Sequence, residues 1–394
     1  MQAAYIVAAK RTPIGRRRGV FAHTRPDDLL AHALRAVLAA APALDPAEVG
    51  DVITGCAMPE AEQGMNVSRI ALLLAGLPQS VPGVTINRFC ASGLQAVAWA
   101  AQAIELGQAE VMIAAGVESM SVMPQITGNK TAPNPAMFDH DEHRSIAFGM
   151  GLTAERVAAR WGISREDQDA FAYHSHRKAM AAITAARFAS EIAPYTVRAH
   201  RPGPNGEACI SDTVVHTDEG PRADTSIEAL AKLKPSFAAK GCVTAGNSSQ
   251  MSDGAAAVLL MSEAAVKRYQ LTPIARFAGF SVAGVAPEIM GIGPVAAIPR
   301  ALKLAGFAQH ELDWIELNEA FAAQALAVMR ELQLDPDKVN PLGGAIALGH
   351  PLGATGAIRT ATLIHAMARE KIKRGMVSMC IGTGMGAAGV FEAV

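Results

Sequence analysis

Short runs of β-branched and apolar residues alternate along the chain with longer stretches whose apolar positions recur every three or four residues. That alternation predicts strands joined by helical crossovers around a buried, mostly parallel sheet, an α/β fold. Near the start it predicts strand 4–9, helix 26–41, strand 51–55, helix 66–75, strand 83–87, helix 91–106 and strand 110–115. Toward the end it predicts strand 274–282, helix 293–305, strand 313–317, helix 319–331, a short strand near 339, helix 352–370, strand 376–381 and a closing strand 387–392.

The two sets are copies of one unit. DVITGC at 51–56 resembles DWIELN at 313–318, 262 positions on, and EVMIAAG at 110–116 resembles MVSMCIG at 376–382, 266 positions on. The strand at Tyr5 has its counterpart near Ile274, and the closing strand has its partner in Ala255 to Met261. Ordered matches at drifting offsets are the mark of an internal repeat. We expect an N-terminal half over 1–268 and a C-terminal half over 269–394. Residues 117–250 fit neither copy and read as an insertion before the last strand of the first. It opens on the Pro, Gly and Asn rich stretch SVMPQITGNKTAPNPAMF and carries an amphipathic helix at 164–187, begun by a Ser164 cap with Asp167 in its first turn. An insertion of that size on a rigid scaffold serves as a binding lid or as a structural or oligomerisation arm.

Composition narrows the function. Of 394 residues, 35 are Lys or Arg and 36 Asp or Glu, a net charge of −1, so no global field draws the chain to nucleic acid or an anionic membrane. Charged residues interrupt each apolar stretch before it reaches a spanning length. The five cysteines, Cys56, Cys90, Cys209, Cys242 and Cys380, are odd in number and form no CxxC pair, which speaks against a disulfide framework or a thiolate zinc site. MQAAYIVAAKRTPIG lacks the basic and apolar regions of a secretory signal, and Arg16, Arg17 and Arg18 read as a solvated loop rather than an address. The expected location is the cytoplasm.

Ligands in open α/β sheets gather at the carboxyl ends of strands, where helix N-termini point outward. Strand 83–87 runs into NRFCASGLQA, which puts Cys90 at a helix start, where unpaired N–H groups are expected to lower a thiol pKa from its usual value of about 8.5. The equivalent turn of the second copy, GGAIALGHPLGATG at 343–356, carries His350 before a proline. Pseudo-symmetry lets these two turns face each other, and a Cys with a His makes an activated nucleophile. Cys380 and Asn318 end strands on the same rim. Gly384, Gly386 and Gly389 match GxGxxG, but only five residues follow, too few for a dinucleotide-binding unit. His140-Asp-Glu-His143 lacks the spacing of a metal helix and reads as a polar loop.

These residues, with RTPIG at 11–15, GVESMS at 116–121, TAGNSSQMSDGAA at 244–256, ELNEAFA at 316–322 and CIGTGMGAAG at 380–389, resemble the thiolase family along nearly the whole chain. The resemblance implies duplicated αβα halves stacked as a five-layer αβαβα core with an inserted loop domain. It implies thiolytic cleavage of a 3-oxoacyl-CoA to acetyl-CoA and a shortened acyl-CoA, or the reverse condensation. Cys90 would carry the acyl group, His350 take its proton, and Cys380 protonate the leaving enolate. The backbone N–H groups of Cys90 and Gly382 would hold one oxyanion, and His350 with a water on Asn318 the enolate. Arg222 would meet the nucleotide of coenzyme A, Ser249 would line the pantetheine tunnel, and Met150 and Phe321 would contact substrate. Coenzyme A is substrate, with no cofactor implied, and a homodimer or homotetramer is the family expectation, with association to a hydratase/dehydrogenase subunit left open.

Where short-chain biosynthetic relatives carry a His-Met pair before the helix that follows, this chain reads Phe148-Gly-Met150-Gly151, and MGIGP at 290–294 also resembles the degradative 3-ketoacyl-CoA thiolases of broad chain length. Three rivals stand beside that reading. One is an acetoacetyl-CoA thiolase, one a non-catalytic acyl-CoA binder of the same fold, and one a decarboxylating ketoacyl synthase, which would need a second His where Cys380 stands.

Overall fold

The structure is a computed structural model that describes residues 2–122, 134–205 and 207–394. Most of the Pro, Gly and Asn rich stretch, 123–133, lies outside the described residues. The strands are β1 (Ala4–Arg11), β2 (Gly15–Arg16), β3 (Val52–Gly55), β4 (Gly83–Ile86), β5 (Val111–Ser119), β6 (Tyr195–Pro202), β7 (Ala208–Val215), β8 (Ser252–Ser262), β9 (Ala275–Gly284), β10 (Trp314–Leu317), β11 (Arg374–Ile381) and β12 (Met385–Ala393). The helices are α1 (Pro26–Ala39), α2 (Val67–Ala75), α3 (Ser92–Glu105), α4 (Asp141–Arg144), α5 (Met150–Trp161), α6 (Arg165–Thr184), α7 (Ile227–Ala231), α8 (Glu263–Arg268), α9 (Gly293–Ala305), α10 (Ala322–Glu331), α11 (Ala345–Leu348) and α12 (Leu352–Glu370).

Local chemistry accounts for the boundaries. Pro26 opens α1 with Asp27 and Asp28 in its first turn, both favourable at the positive end of a helix. Ser164 caps α6 by accepting from Asp167 N at 3.0 Å. α10 starts at Ala322, three residues later than the pattern predicts, because Phe321 is extended (φ −147°, ψ 148°) and bridges Ser248.

The strands run in the order β4-β3-β5-β8-β1-β9-β12-β11-β10. Each half repeats one arrangement outward from the β1/β9 seam, and Val339 bridges Ile315 in parallel where β4 pairs with β3 in the first half. The expectation of a mostly parallel sheet is corrected. Among the described residues only β3–β4, β3–β5 and β10–β11 are parallel ladders, because β8 and β12 return antiparallel between the first strand of their half and its parallel set. Nor are the two sheets separate, since Tyr5 and Ile6 pair with Arg276 and Ala275. The insertion leaves from β5 and returns at β8, which are neighbours in the sheet.

Helices α1 and α2 cover the outer face of the first half-sheet, and α9 and α10 that of the second. Between the half-sheets lie α3 and α12, which contribute to one shared core with β1, β8 and β11. This is a five-layer αβαβα stack. The central layer is thin because its helices touch backbone to backbone. A Cβ on Gly93 would lie 2.7 Å from Ala357 N, and one on Gly356 would lie 2.1 Å from Leu94 N. The insertion is pinned to β1 by a buried ion cluster, in which the Arg11 guanidinium meets Glu191 at 2.6 Å and Asp218 at 2.7 and 2.9 Å. Removing one partner from such a cluster costs about 3–5 kcal/mol.

Gly356→Ala should therefore destabilise the protein by about 1–3 kcal/mol, although alanine is the better helix former. The shift in the urea unfolding midpoint measures this, and an unchanged or raised midpoint would show that the two helices have room to part.

Candidate active site

The turn after β4 is tied down by its own side chains. Asn87 Oδ1 accepts from Phe89 N at 2.8 Å, and Ser92 Oγ accepts from Arg88 N at 2.8 Å while donating to Phe89 O at 2.6 Å. Phe89 is held at φ +45°, a conformation non-glycine residues avoid and functional turns retain. The next residue, Cys90, is thereby turned into a cavity of about 700 Å³.

His350 and Cys380 reach the same cavity from the second half, His350 just before α12 and Cys380 near the end of β11. His350 N donates to Ser252 Oγ at 3.1 Å and Gln250 O at 3.2 Å, which fastens the second half to the end of the insertion. Its ring Nδ1 lies 2.6 Å from Thr355 Oγ1, and its Nε2 lies 3.4 Å from Asn318 Nδ2. Asn318 follows β10, is fully buried behind the histidine, and has an Oδ1 without a hydrogen-bond partner. The backbone N–H groups of Gly382 and of Cys90 itself are both directed at the Cys90 sulfur.

The residues expected to bind substrate divide between two hollows. Met150, Ser249 and Phe321 line the main cavity with Met58, Met120, Met251, Met290 and Phe237. Arg222 lines an adjoining hollow of about 290 Å³ with His176 and Asp224, and the two share Ala245 and Gln250. Arg222 N donates to His176 Nδ1 at 3.1 Å. His140 and His143 stand apart, their rings 5.5 Å from each other.

The pattern did not single out Glu118, which also lines the main cavity. Its carboxylate accepts from Ala57 N and Gly353 N, each at 2.8 Å, from Met58 N at 3.3 Å, and from Gln63 Nε2. It thus binds the loop after β3 to the first turn of α12. The signal was an acid in an otherwise apolar strand, costly unless hydrogen-bonded.

The electrostatics correct one expectation. The Cys90 thiol is not made acidic by its helix start. Burial pushes it up to about 11 and the Glu118 carboxylate adds to this, outweighing the two N–H groups that favour the thiolate. Burial likewise pulls His350 down to about 3, with Arg359 acting in the same direction. Burial raises Cys380 further still, and the neighbouring Cys90 adds to it. The resting site holds two neutral thiols and a neutral imidazole.

Family models described as the thiolase N-terminal domain and the thiolase C-terminal domain match residues 4–264 and 271–393. The chain belongs to the thiolase family. It is 50% identical to the 3-ketoacyl-CoA thiolase of Bacillus subtilis (strain 168), covering 100% of both chains. Among solved structures it superposes on human mitochondrial 3-ketoacyl-CoA thiolase (TM-score 0.89, 39% identity, 100% of this chain and 99% of that one). It superposes equally on the Bacillus anthracis acetyl-CoA acetyltransferase (TM-score 0.89, 40% identity, the same coverage). No helix among the described residues is long and apolar enough to cross a membrane.

A buried neutral His350 leaves a pH signature. The unfolded chain protonates this imidazole near pH 6.5, whereas the folded protein resists until about pH 3. Unfolding therefore takes up a proton between those values, and the stability due to this group is lost as pH falls through that window, by about 2 kcal/mol at pH 5. Between pH 7 and 5 the wild type should lose about 2 kcal/mol more than His350→Asn in urea unfolding. Equal losses would place a charged imidazole in the folded state.

Proposed function

We propose that the protein is a 3-ketoacyl-CoA thiolase, an acetyl-CoA C-acyltransferase that cleaves 3-oxoacyl-CoA with coenzyme A in fatty acid breakdown. The observation that carries this reading is the meeting of Cys90, His350 and Cys380, far apart in sequence, in one cavity. A pure binder has no use for a second thiol beside the first, and a ketoacyl synthase would carry a histidine in place of Cys380. The flexible, polarisable methionines and two phenylalanines of the wall suit aliphatic tails of several lengths, which favours a broad acyl range over acetoacetyl-CoA alone.

In this mechanism the Cys90 sulfur attacks the 3-oxo carbon while His350 Nε2 takes its proton as general base. Because both groups are neutral at rest, proton transfer accompanies attack rather than preceding it. The N–H groups of Cys90 and Gly382 receive the tetrahedral oxyanion, and one such donor is typically worth about 100-fold or more in rate. Collapse breaks the C2–C3 bond, leaving an acyl-enzyme and the enolate of acetyl-CoA. The enolate oxygen is held by protonated His350 and a water on Asn318, and Cys380, kept protonated by burial, delivers its proton to C2. The Cys380 thiolate then deprotonates incoming coenzyme A, whose sulfur displaces the acyl group from Cys90, and His350 returns the proton to Cys90. The route uses no resident cofactor. Met150 and Phe321 contact the acyl and pantetheine chain, Ser249 lines its tunnel, and Arg222 in the adjoining hollow takes the nucleotide phosphates.

We further assign the protein to the cytoplasm, a reducing compartment in keeping with its free cysteines. We also propose a homodimer, supported by β4, which ends the sheet with an edge unpaired among the described residues and carries exposed Val84, with Leu73 and Leu74 exposed on α2, an arrangement a second copy can cover.

Thiolysis of 3-oxoacyl-CoAs of graded length, followed by acetyl-CoA release, tests the function. Activity should extend well beyond the four-carbon substrate, and activity confined to acetoacetyl-CoA would favour the rival thiolase. Cys90→Ser should lose thiolysis by a factor on the order of 10³ or more, and Cys380→Ala should still accept an acyl group from acyl-CoA without cleaving 3-oxoacyl-CoA. Light scattering should return at least twice the mass of one chain, and a single-chain mass at micromolar concentration would remove the dimer.

A further inference from the structure

We propose that Thr355 is a positioning residue that sets the tautomer of His350, holding the ring proton on Nδ1 so that Nε2 is the free base. This rests on the role given to His350 above. A hydroxyl has one proton to give and lone pairs to receive. Thr355 lies in the first turn of α12, and its Oγ1 donates back to Pro351 O at 3.1 Å, the habitual bond of a helical threonine to the carbonyl four residues earlier. Pro351 O also accepts from Ala354 N at 2.8 Å and Thr355 N at 3.0 Å; with the hydroxyl proton shared onto that carbonyl, Oγ1 meets His350 Nδ1 at 2.6 Å as an acceptor and the ring nitrogen supplies the hydrogen.

The other ring nitrogen agrees. Asn318 Nδ2 lies 3.4 Å from His350 Nε2, and with the amide in this orientation the contact is a hydrogen bond when Nε2 is unprotonated. Thr355 and His350 are 1% and 4% exposed, so water does not compete for Nδ1. The hydroxyl is itself held in place, because Gly353 N of the same turn donates to the buried Glu118 carboxylate at 2.8 Å. A chain of contacts thus runs from β5 through α12 to the imidazole. Orienting partners of this kind fix which nitrogen of a histidine reacts.

Histidine-selective 15N spectra of the full-length resting enzyme, with the His350 signal identified by its loss in His350→Asn, should show a protonated Nδ1 and a bare Nε2. In Thr355→Val, which keeps the shape and removes the oxygen, the signal should move toward the opposite tautomer. Its kcat should fall roughly 10- to 100-fold with KM little changed, and Thr355→Ser should recover most of that loss. A proton found on Nε2 in the wild type, or a Thr355→Val enzyme within twofold of wild-type kcat, would overturn the proposal. Should Thr355→Val fail to fold, the wild-type spectrum decides alone. The tautomer is read without substrate, so it stands or falls independently of whether His350→Asn abolishes thiolysis.

Discussion

The contact on which the rest depends is the crossing of α3 and α12 at backbone distance. Gly93 and Gly356 remove the side chains that would otherwise separate them. Because the turns that precede these helices carry Cys90 and His350, the gap between two glycine-bearing segments sets the gap between thiol and imidazole. The same approach lets one core serve both half-sheets, so stability and active-site geometry draw on a single packing solution.

Burial then sets the chemistry. The deep end of the cavity is a poor solvent for charge, and it shifts the thiols and the imidazole each toward its neutral form. Helix starts and directed N–H groups do act on Cys90, but at rest they are outweighed. Their value lies in meeting the negative charge that forms during reaction, which is where preorganised donors are most effective. Glu118 illustrates the cost of this design: its carboxylate opposes ionisation of the nucleophile, and it joins the halves by accepting from Ala57 N and Met58 N on one side and Gly353 N on the other.

Much of this was legible in the residues. The duplication appears as matched strands in the same order, and the rule that chemistry collects at strand ends singled out Cys90, His350, Cys380 and Asn318, all of which converge. What stayed hidden has physical causes. The antiparallel return of β8 and β12 leaves no mark on local periodicity, since a buried strand is apolar whichever way it runs. The direction of the Cys90 shift needed the depth of the cavity, a sum over distant neighbours. The β6–β7 hairpin pairs residues such as Arg198 and Asp212 that face solvent, so it lacks a strong apolar pattern. Thr355 looks like any helical threonine until its ring partner is placed beside it.

The strand order has a consequence for biosynthesis. β1 leaves the ribosome long before its ladder partners, β8 and β9, which begin at Ser252 and Ala275. At about 5–20 residues per second, roughly 10–50 s pass before either neighbour has been translated. Throughout that interval an apolar segment with both edges open is exposed to other nascent chains, so the yield of soluble protein is set by how well Ala4–Arg11 is shielded while it waits.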